Sequence, residues 1–159
     1  MFNPNGMPYT FCFRQILEKC TTIEEAEQML RATPRTTPFI LAVCDAKHSV
    51  ILEATTKTVA ARHGSNGICV CTNHFRTPEL AVIKLCDRYP KLAQAESFDH
   101  PLEVSDVAKK MNEVSMGKMT VHTMVFEPAA VRLNVAIGAC PSSALPMKAL
   151  ELKPLFQPQ

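Results

Sequence analysis

The stretch CVCTNHF, residues 69–75, places several reactive side-chain types within seven positions. Cys69 and Cys71 offer thiolates to a metal or an electrophile, and His74 offers an imidazole that can bind a metal or move a proton. Asn73 offers an amide that can donate to a developing negative charge. Three interpretations are open at this point: a metal site, a nucleophile, or the polar end of a buried strand.

The spacing of the two cysteines argues against a metal site. Side chains two apart on a strand point the same way, but their Cβ atoms stand about 6.5 to 7 Å apart. Two thiolates on one tetrahedral zinc have sulfurs only about 3.8 Å apart. His74 falls on the opposite strand face, and no second ligand pair has zinc-finger spacing. We therefore expect buried strand cysteines and no metal.

A nucleophilic cysteine needs an exposed thiol beside a cation or a helix N-terminus. Cys44, Cys69 and Cys71 lie in apolar runs, where burial raises the pKa of a thiol. Cys20 directly precedes a predicted helix cap and is the best candidate among them, with an ordinary loop thiol as the alternative. We therefore do not expect a catalytic cysteine at these positions.

Asn73 and His74 are more informative because of their position. Asn73 lies where a predicted strand gives way to a predicted helix, so its amide can point into a cleft and stabilise an oxyanion. The alternative is a strand-end cap, which asparagine also favours. His74, taken alone, is a surface or half-buried residue.

Arg88 follows on the helix predicted after that strand. It is nominally a solvated charge or an ion-pair partner of Asp87 or Glu96. The flanking Cys86 and Tyr89 lie on the inward face of the predicted helix, which favours a position near the cleft instead.

The elements that must position these residues follow from local patterns. Thr22 and Glu25 form a capping box, and Pro78 suits a first helical position. Apolar spacing indicates helices over about 13–19, 22–32, 77–89 and 103–114, with Pro90 ending or kinking the third. Continuous or alternating apolar runs indicate strands over 39–44, 50–54, 58–63, 68–73, 120–126 and 131–138.

These strands are expected to form hairpins. The fourth run leaves the turn GSNG and should pair with the third. The last hairpin should bury the face that carries Val131, Leu133, Val135 and Ile137, and the proline-spaced tail should run extended over the surface. Helices, a strand meander, more helices and a final hairpin predict a layered α+β fold with residues 1–159 as a single domain or half-domain.

Composition narrows the function classes. Of 159 residues, 47% are hydrophobic and 20% are charged, which favours a compact soluble fold. Seventeen basic residues are scattered among fifteen acidic ones, so we expect no nucleic-acid partner. No apolar run has the length of a membrane span or the form of a signal peptide, so we expect no membrane partner and a cytoplasmic location.

Several stretches, taken in order, resemble one family. They are CTTIEEAEQMLRATPR, FILAVCDAKHSVILEAT, CTNHFRTPELA with DRYPKL, and TMVFEPAAVRLNVAIGACPSS followed by LELKPLF. Over about residues 9–156 the chain resembles the C-terminal half of the penicillin acyltransferase family. That family consists of autoproteolytic cysteine hydrolases and acyltransferases related to the choloylglycine hydrolases.

The resemblance implies the N-terminal nucleophile hydrolase fold, with two sheets between helical layers (αββα), and no cofactor. The implied chemistry uses an N-terminal cysteine whose own α-amino group is the base, and it acts on small acyl-amide substrates through an acyl-enzyme. On the matching positions Asn73 would donate to the oxyanion, and Arg88 would orient or acidify the thiolate. His74 and Phe75 would line the substrate pocket.

The family's nucleophile lies upstream of the matching region, whereas this chain opens Met1-Phe2. We therefore expect the nucleophile outside this chain, with the N-terminal half of the same fold as a partner. The chain is then a piece of a longer protein, the product of a different cut, or a domain that has lost its reaction. A non-catalytic binding or assembly module is the alternative function.

Overall fold

The computed structural model describes residues 2–45, 47–83 and 85–156. The chain divides into two compact units, one ending at Tyr89 and the other beginning at Pro90. Helices and two antiparallel three-stranded sheets make the chain α+β, which confirms the predicted fold class. The expectation of one domain or half-domain stays a prediction.

The first unit packs two helices on a sheet. Its regular elements are α1 (Tyr9–Lys19), α2 (Ile23–Ala32), β1 (Phe39–Cys44), β2 (Ser49–Ala54) and β3 (Val59–His63). The strands pair in the order β1-β2-β3, as the first predicted hairpin requires. Apolar side chains from the helices and the sheet form the core: Cys12, Ile16, Ile23, Ala26, Leu30, Val50, Leu52, Ala54 and Val59.

The predicted helix starts are confirmed in one case and extended in the other. Thr22 accepts from the Glu25 backbone and the Glu25 carboxylate accepts from the Thr22 backbone, so the capping box fixes the start of α2. Helix α1 begins at Tyr9 and is therefore longer than predicted. Ala46, in the predicted turn between β1 and β2, lies outside the described residues.

Strand β2 is buried on both faces. Val50, Leu52 and Ala54 belong to the core under the helices, while Ile51 and Glu53 point to the opposite face because side chains alternate along a strand. Glu53 has no exposed surface, although it is a carboxylate. What covers it is the chain segment that carries the candidate site.

The predicted fourth strand is wrong. The turn closes with an isolated bridge between Ser65 and Ile68, and residues 69–72 have no regular strand structure. Side chains replace the ladder beyond that bridge: the Arg62 guanidinium donates to the Val70 carbonyl oxygen over 2.9 Å, and Cys69 Sγ lies 3.4 Å from the Arg62 carbonyl oxygen.

The predicted helix over 77–89 is also wrong. The backbone N–H groups of Leu80 and Ala81 both donate to the Thr77 carbonyl oxygen, which makes one turn, and the described residues from 81 to 87 are irregular. Residue 84 lies outside the described residues. Helix α3 (Arg88–Ala93) begins later and contains Pro90 in its first turn, where an N–H would lack an intrahelical partner anyway.

The second unit contains helix α4 (Val104–Glu113), strands β4 (His122–Glu127), β5 (Arg132–Ile137) and β6 (Lys148–Glu151), and short 3₁₀ turns. The predicted amphipathic helix and the final hairpin are confirmed. The tail, predicted to run over the surface, instead supplies β6, which pairs with β5. Residues 157–159 of that tail lie outside the described residues.

The buried face of the last hairpin is opposite to the predicted one. Asn134 and Ala136 are buried, whereas Ile137 is 66% exposed. The buried face is polar and satisfied by hydrogen bonds: the Asn134 amide donates to the Glu127 carboxylate over 2.8 Å, and the Thr123 and Ser142 hydroxyls are 3.0 Å apart. A hydrophobic pattern does not detect such a face.

Candidate active site

Glu53 anchors the segment that carries Asn73, His74 and Phe75. Its carboxylate accepts from the backbone N–H of Arg76 over 2.9 and 3.0 Å and from that of Thr77 over 2.8 Å. The Arg62 guanidinium donates to the same carboxylate over 3.1 Å. The end of the segment is therefore bonded to the middle strand of the sheet.

This buried carboxylate stays ionised. Burial acts to raise the pKa of Glu53, but the N–H groups of Thr77 and Arg76, the Thr77 hydroxyl and the Arg62 guanidinium together lower it below its ordinary value. A buried charge with this many donors is costly to expose or neutralise. Glu53 thus holds the segment firmly, a role that the sequence did not reveal.

A second set of contacts joins the segment to the start of α3. The Arg76 guanidinium lies over the Tyr89 ring, 4.0 Å from its centroid, within the range of a cation–π contact. The neighbouring Arg88 donates from Nη2 to Asn73 Oδ1 over 2.8 Å. Two predicted site residues, Asn73 and Arg88, are therefore in direct contact.

The contact with Arg88 fixes the orientation of the Asn73 amide. A guanidinium only donates hydrogen bonds, so the amide atom that faces it is the oxygen, and the Nδ2 donor points away from Arg88. The Asn73 side chain is exposed to solvent while it is held in this way. It can present a hydrogen-bond donor to a ligand.

Asn73, His74 and Phe75 share one cavity of about 440 Å³. Arg88 is not among the residues that line it and reaches it only through Asn73. Most of the wall is apolar, and the full lining is Pro38, Phe39, Ile40, Thr72, Asn73, His74, Phe75, Leu80, Val82 and Ile83. The structure thus gathers the predicted residues at an apolar hollow with polar groups on one side, the usual character of a small-ligand site.

Comparison with known proteins decides the family. The family model for acyl-coenzyme A:6-aminopenicillanic acid acyl-transferase matches residues 2–140, which is most of the chain. The chain belongs to this acyltransferase family. Its α+β architecture is compatible with the N-terminal nucleophile hydrolase-like fold of the family. No curated protein matches the sequence significantly.

In this member of the acyltransferase family, Cys86 is the site residue that the sequence analysis missed. Its Sγ lies 3.4 Å from the Thr72 hydroxyl oxygen. That hydrogen bond, with further ones from the His74 side chain and the backbone N–H groups of Tyr89 and Arg88, lowers the pKa of Cys86 to about 6. Only folding brings Thr72 and Cys86 together, because fourteen residues separate them and no motif spans both.

The other cysteines differ from Cys86. Burial raises the pKa of Cys71, as the sequence predicts for a thiol in apolar surroundings, and burial with the nearby Glu25 raises that of Cys20. Cys44 is exposed, so the expectation that it is buried in its strand is wrong. The favoured internal candidate, Cys20, therefore lacks the electrostatic environment of a reactive thiol.

Two classes of site were sought among the described residues. No group of three or more His, Cys, Asp or Glu side chains in the described part of the chain is arranged to hold a metal ion. No helix within residues 2–45, 47–83 and 85–156 is long and apolar enough to cross a membrane.

Proposed function

We propose that this chain forms part of a cysteine-dependent amidohydrolase or acyltransferase that cleaves a carbon–nitrogen amide bond through an acyl-enzyme. The nucleophile is contributed by a segment outside residues 1–159, the N-terminal half of the same fold. Family membership supports the reaction class. The observation that carries the proposal is the 2.8 Å bond from Arg88 to Asn73, because it directs the amide donor of Asn73 away from the guanidinium.

In the proposed reaction a thiolate attacks the carbonyl carbon of the amide substrate. A C–S bond forms, and negative charge develops on the carbonyl oxygen. Asn73 Nδ2 donates to that oxygen, an interaction that strengthens as the charge grows. The C–N bond then breaks, the amine leaves with a proton, and water or another amine resolves the thioester.

The cavity supports an apolar acyl group as the part of the substrate that is recognised. Phe75 and His74 form part of its wall, together with apolar residues from β1 and from residues 80–83. Arg88 acts on the site by holding Asn73, and its positive charge favours an anion nearby.

The native gene product, including any residues that precede Met1, is the material for the test. Its turnover of amides with apolar acyl groups is measured for the wild type and for Asn73→Ala. Loss of one oxyanion donor is expected to lower kcat about 10²- to 10³-fold. Asn5→Ala, at an exposed position in the N-terminal segment, is the matched control and should leave kcat unchanged.

Two outcomes count against the proposal. Unchanged kcat in Asn73→Ala would remove the role given to Asn73. Mass spectrometry of the native protein separates the alternative function: a trapped acyl group on a cysteine outside residues 1–159 supports the enzyme, whereas a native protein that begins at Met1 and turns over no amide supports a binding or assembly module.

A further inference from the structure

Thr72, His74 and Cys86 form a cluster that the proposed reaction does not use. The Thr72 hydroxyl oxygen lies 3.4 Å from Cys86 Sγ, and the His74 side chain also bonds to the sulfur. His74 Nδ1 is buried and has no hydrogen-bond partner among the described residues. The cluster thus brings together a nucleophilic atom, a hydroxyl donor and an imidazole with unused bonding capacity.

The surroundings of the sulfur stabilise its anionic form. Each neighbour that bonds to it can donate: a hydroxyl, an imidazole and the backbone N–H groups of Arg88 and Tyr89. The thiol of Cys86 accordingly has a pKa of about 6, so most of it is thiolate at neutral pH. Cys86 is only half-buried, which leaves the sulfur within reach of a reagent.

The cluster also adjoins a place where an apolar group can bind. Thr72 and His74, the two side chains that contact the sulfur, line the apolar cavity of about 440 Å³. Phe75 and Ile40 are part of the same wall. A molecule whose apolar tail occupies this cavity therefore places its reactive head beside Thr72 and His74, next to the thiolate.

We propose that Cys86 is an acyl-acceptor thiol that takes an acyl group from a thioester with an apolar chain. The Cys86 thiolate attacks the thioester carbonyl carbon, a new C–S bond forms, and the original C–S bond breaks. The donor leaves as a thiolate and takes a proton from water, so no oxidant or further reactant is required. This acylation is independent of the amide-cleaving reaction, because its nucleophile lies within this chain.

The test exposes the full chain to a hexanoyl thioester of N-acetylcysteamine at pH 6.5 and locates adducts by peptide mass spectrometry. Cys44 and Cys140 are exposed and serve as internal controls for access. The larger thiolate fraction of Cys86, offset by the lower nucleophilicity of a more acidic thiol, gives an expected rate about fivefold above that of an ordinary exposed thiol. Binding of the acyl chain in the cavity would increase the ratio further.

Two variants test the cluster. Thr72→Val removes the hydroxyl and should move the pH midpoint of iodoacetamide alkylation of Cys86 upward, while Thr72→Ser keeps the hydroxyl and should restore the wild-type midpoint. Cys86→Ser should abolish the fast adduct. Equal acylation of Cys86, Cys44 and Cys140, or the same midpoint in the wild type and Thr72→Val, would overturn the proposal.

The outcomes here and those for amide cleavage can be told apart. Acylation of Cys86 needs no nucleophile from another segment and is measured as a mass shift on one peptide. A chain that acylates Cys86 but shows no effect of Asn73→Ala on amide turnover would keep this inference and reject the proposed function. The reverse pattern would do the opposite.

Discussion

The Arg88 guanidinium donates to the amide oxygen of Asn73 over 2.8 Å, and this bond sets which end of the amide is offered to a ligand. Replacing Arg88 with Leu removes the donor and allows the amide to rotate. We expect Arg88→Leu to lower kcat for amide turnover about tenfold or more, less than Asn73→Ala does, because the amide is still present but misoriented part of the time.

The measurement compares Arg88→Leu, Asn73→Ala and the double variant. Since Arg88 is expected to act through Asn73, the double variant should be no worse than Asn73→Ala alone. Additive losses would show that Arg88 acts on the reaction by a separate route. Arg14→Leu, at an exposed position on α1, serves as the control for loss of a surface arginine.

Glu53→Gln should loosen the segment that carries the site. The amide keeps one acceptor oxygen but places an NH₂ group among the donors that bind the carboxylate, and it leaves the Arg62 guanidinium without its ion-pair partner. We expect a loss of about 3 kcal/mol in the free energy of unfolding. Urea unfolding measures the loss, and faster amide hydrogen exchange at Arg76 and Thr77 locates it.

Glu18→Gln is the matched control for that change. Glu18 pairs with Arg14 on the exposed side of α1, and such pairs contribute little to stability. An equal loss in both variants, or unchanged exchange at Arg76 and Thr77 in Glu53→Gln, would contradict the anchoring role of Glu53.

The same carboxylate makes stability depend on pH. The pKa of Glu53 is lower in the folded chain than its ordinary value, so the unfolded chain takes up the proton first as the pH falls. The contribution of Glu53 is therefore complete above the ordinary pKa of a glutamate and is lost as the pH drops through the lowered value. The difference between the urea midpoints of the wild type and Glu53→Gln should shrink as the pH falls from 6 to 3. A constant difference would show that the charge is not responsible.

Local signals account for the parts of the fold that could be predicted. A capping box acts between residues three apart, so Thr22 and Glu25 predict the start of α2 without help from the rest of the chain. Strands β1, β2 and β3 carry continuous apolar runs between clear turns, and their positions are correct. Asn73, His74 and Phe75 do meet at one cavity, as the resemblance implied.

Long-range contacts account for what could not be predicted. The helical spacing over residues 77–89 is genuine, yet the N–H groups of Arg76 and Thr77 are bound by Glu53, more than twenty residues earlier. Val82 and Leu85, assigned to a buried helical face, are 93% and 88% exposed. The contact between Thr72 and Cys86 likewise depends on the path of the chain between them, which no periodicity encodes.

Gly64 ends β3 and leads into the turn before the site, and its lack of a side chain is required there. A Cβ at Gly64 would lie 2.0 Å from the Ile68 carbonyl oxygen, which is backbone and cannot easily move. We expect Gly64→Ala to lower the free energy of unfolding by about 2 to 3 kcal/mol. Gly67→Ala is the control, because a Cβ there meets no atom within 4 Å and only the positive φ of 75° costs energy, about 1 kcal/mol. Equal losses from the two changes, measured by urea unfolding, would contradict this account.

The inverted face of the last hairpin gives a further test. Phe126 is 60% exposed on β4, whereas the adjacent Val125 is buried. Phe126→Ser should therefore change the free energy of unfolding by no more than about 0.5 kcal/mol and reduce the binding of a hydrophobic dye, because an exposed ring contributes surface but little packing. Val125→Ala should cost about 2 kcal/mol and leave dye binding to the folded chain unchanged, since its methyl groups are already covered. If Phe126→Ser destabilised the chain as much as Val125→Ala, the face predicted from the alternation of Val131, Leu133, Val135 and Ile137 would be the buried one after all.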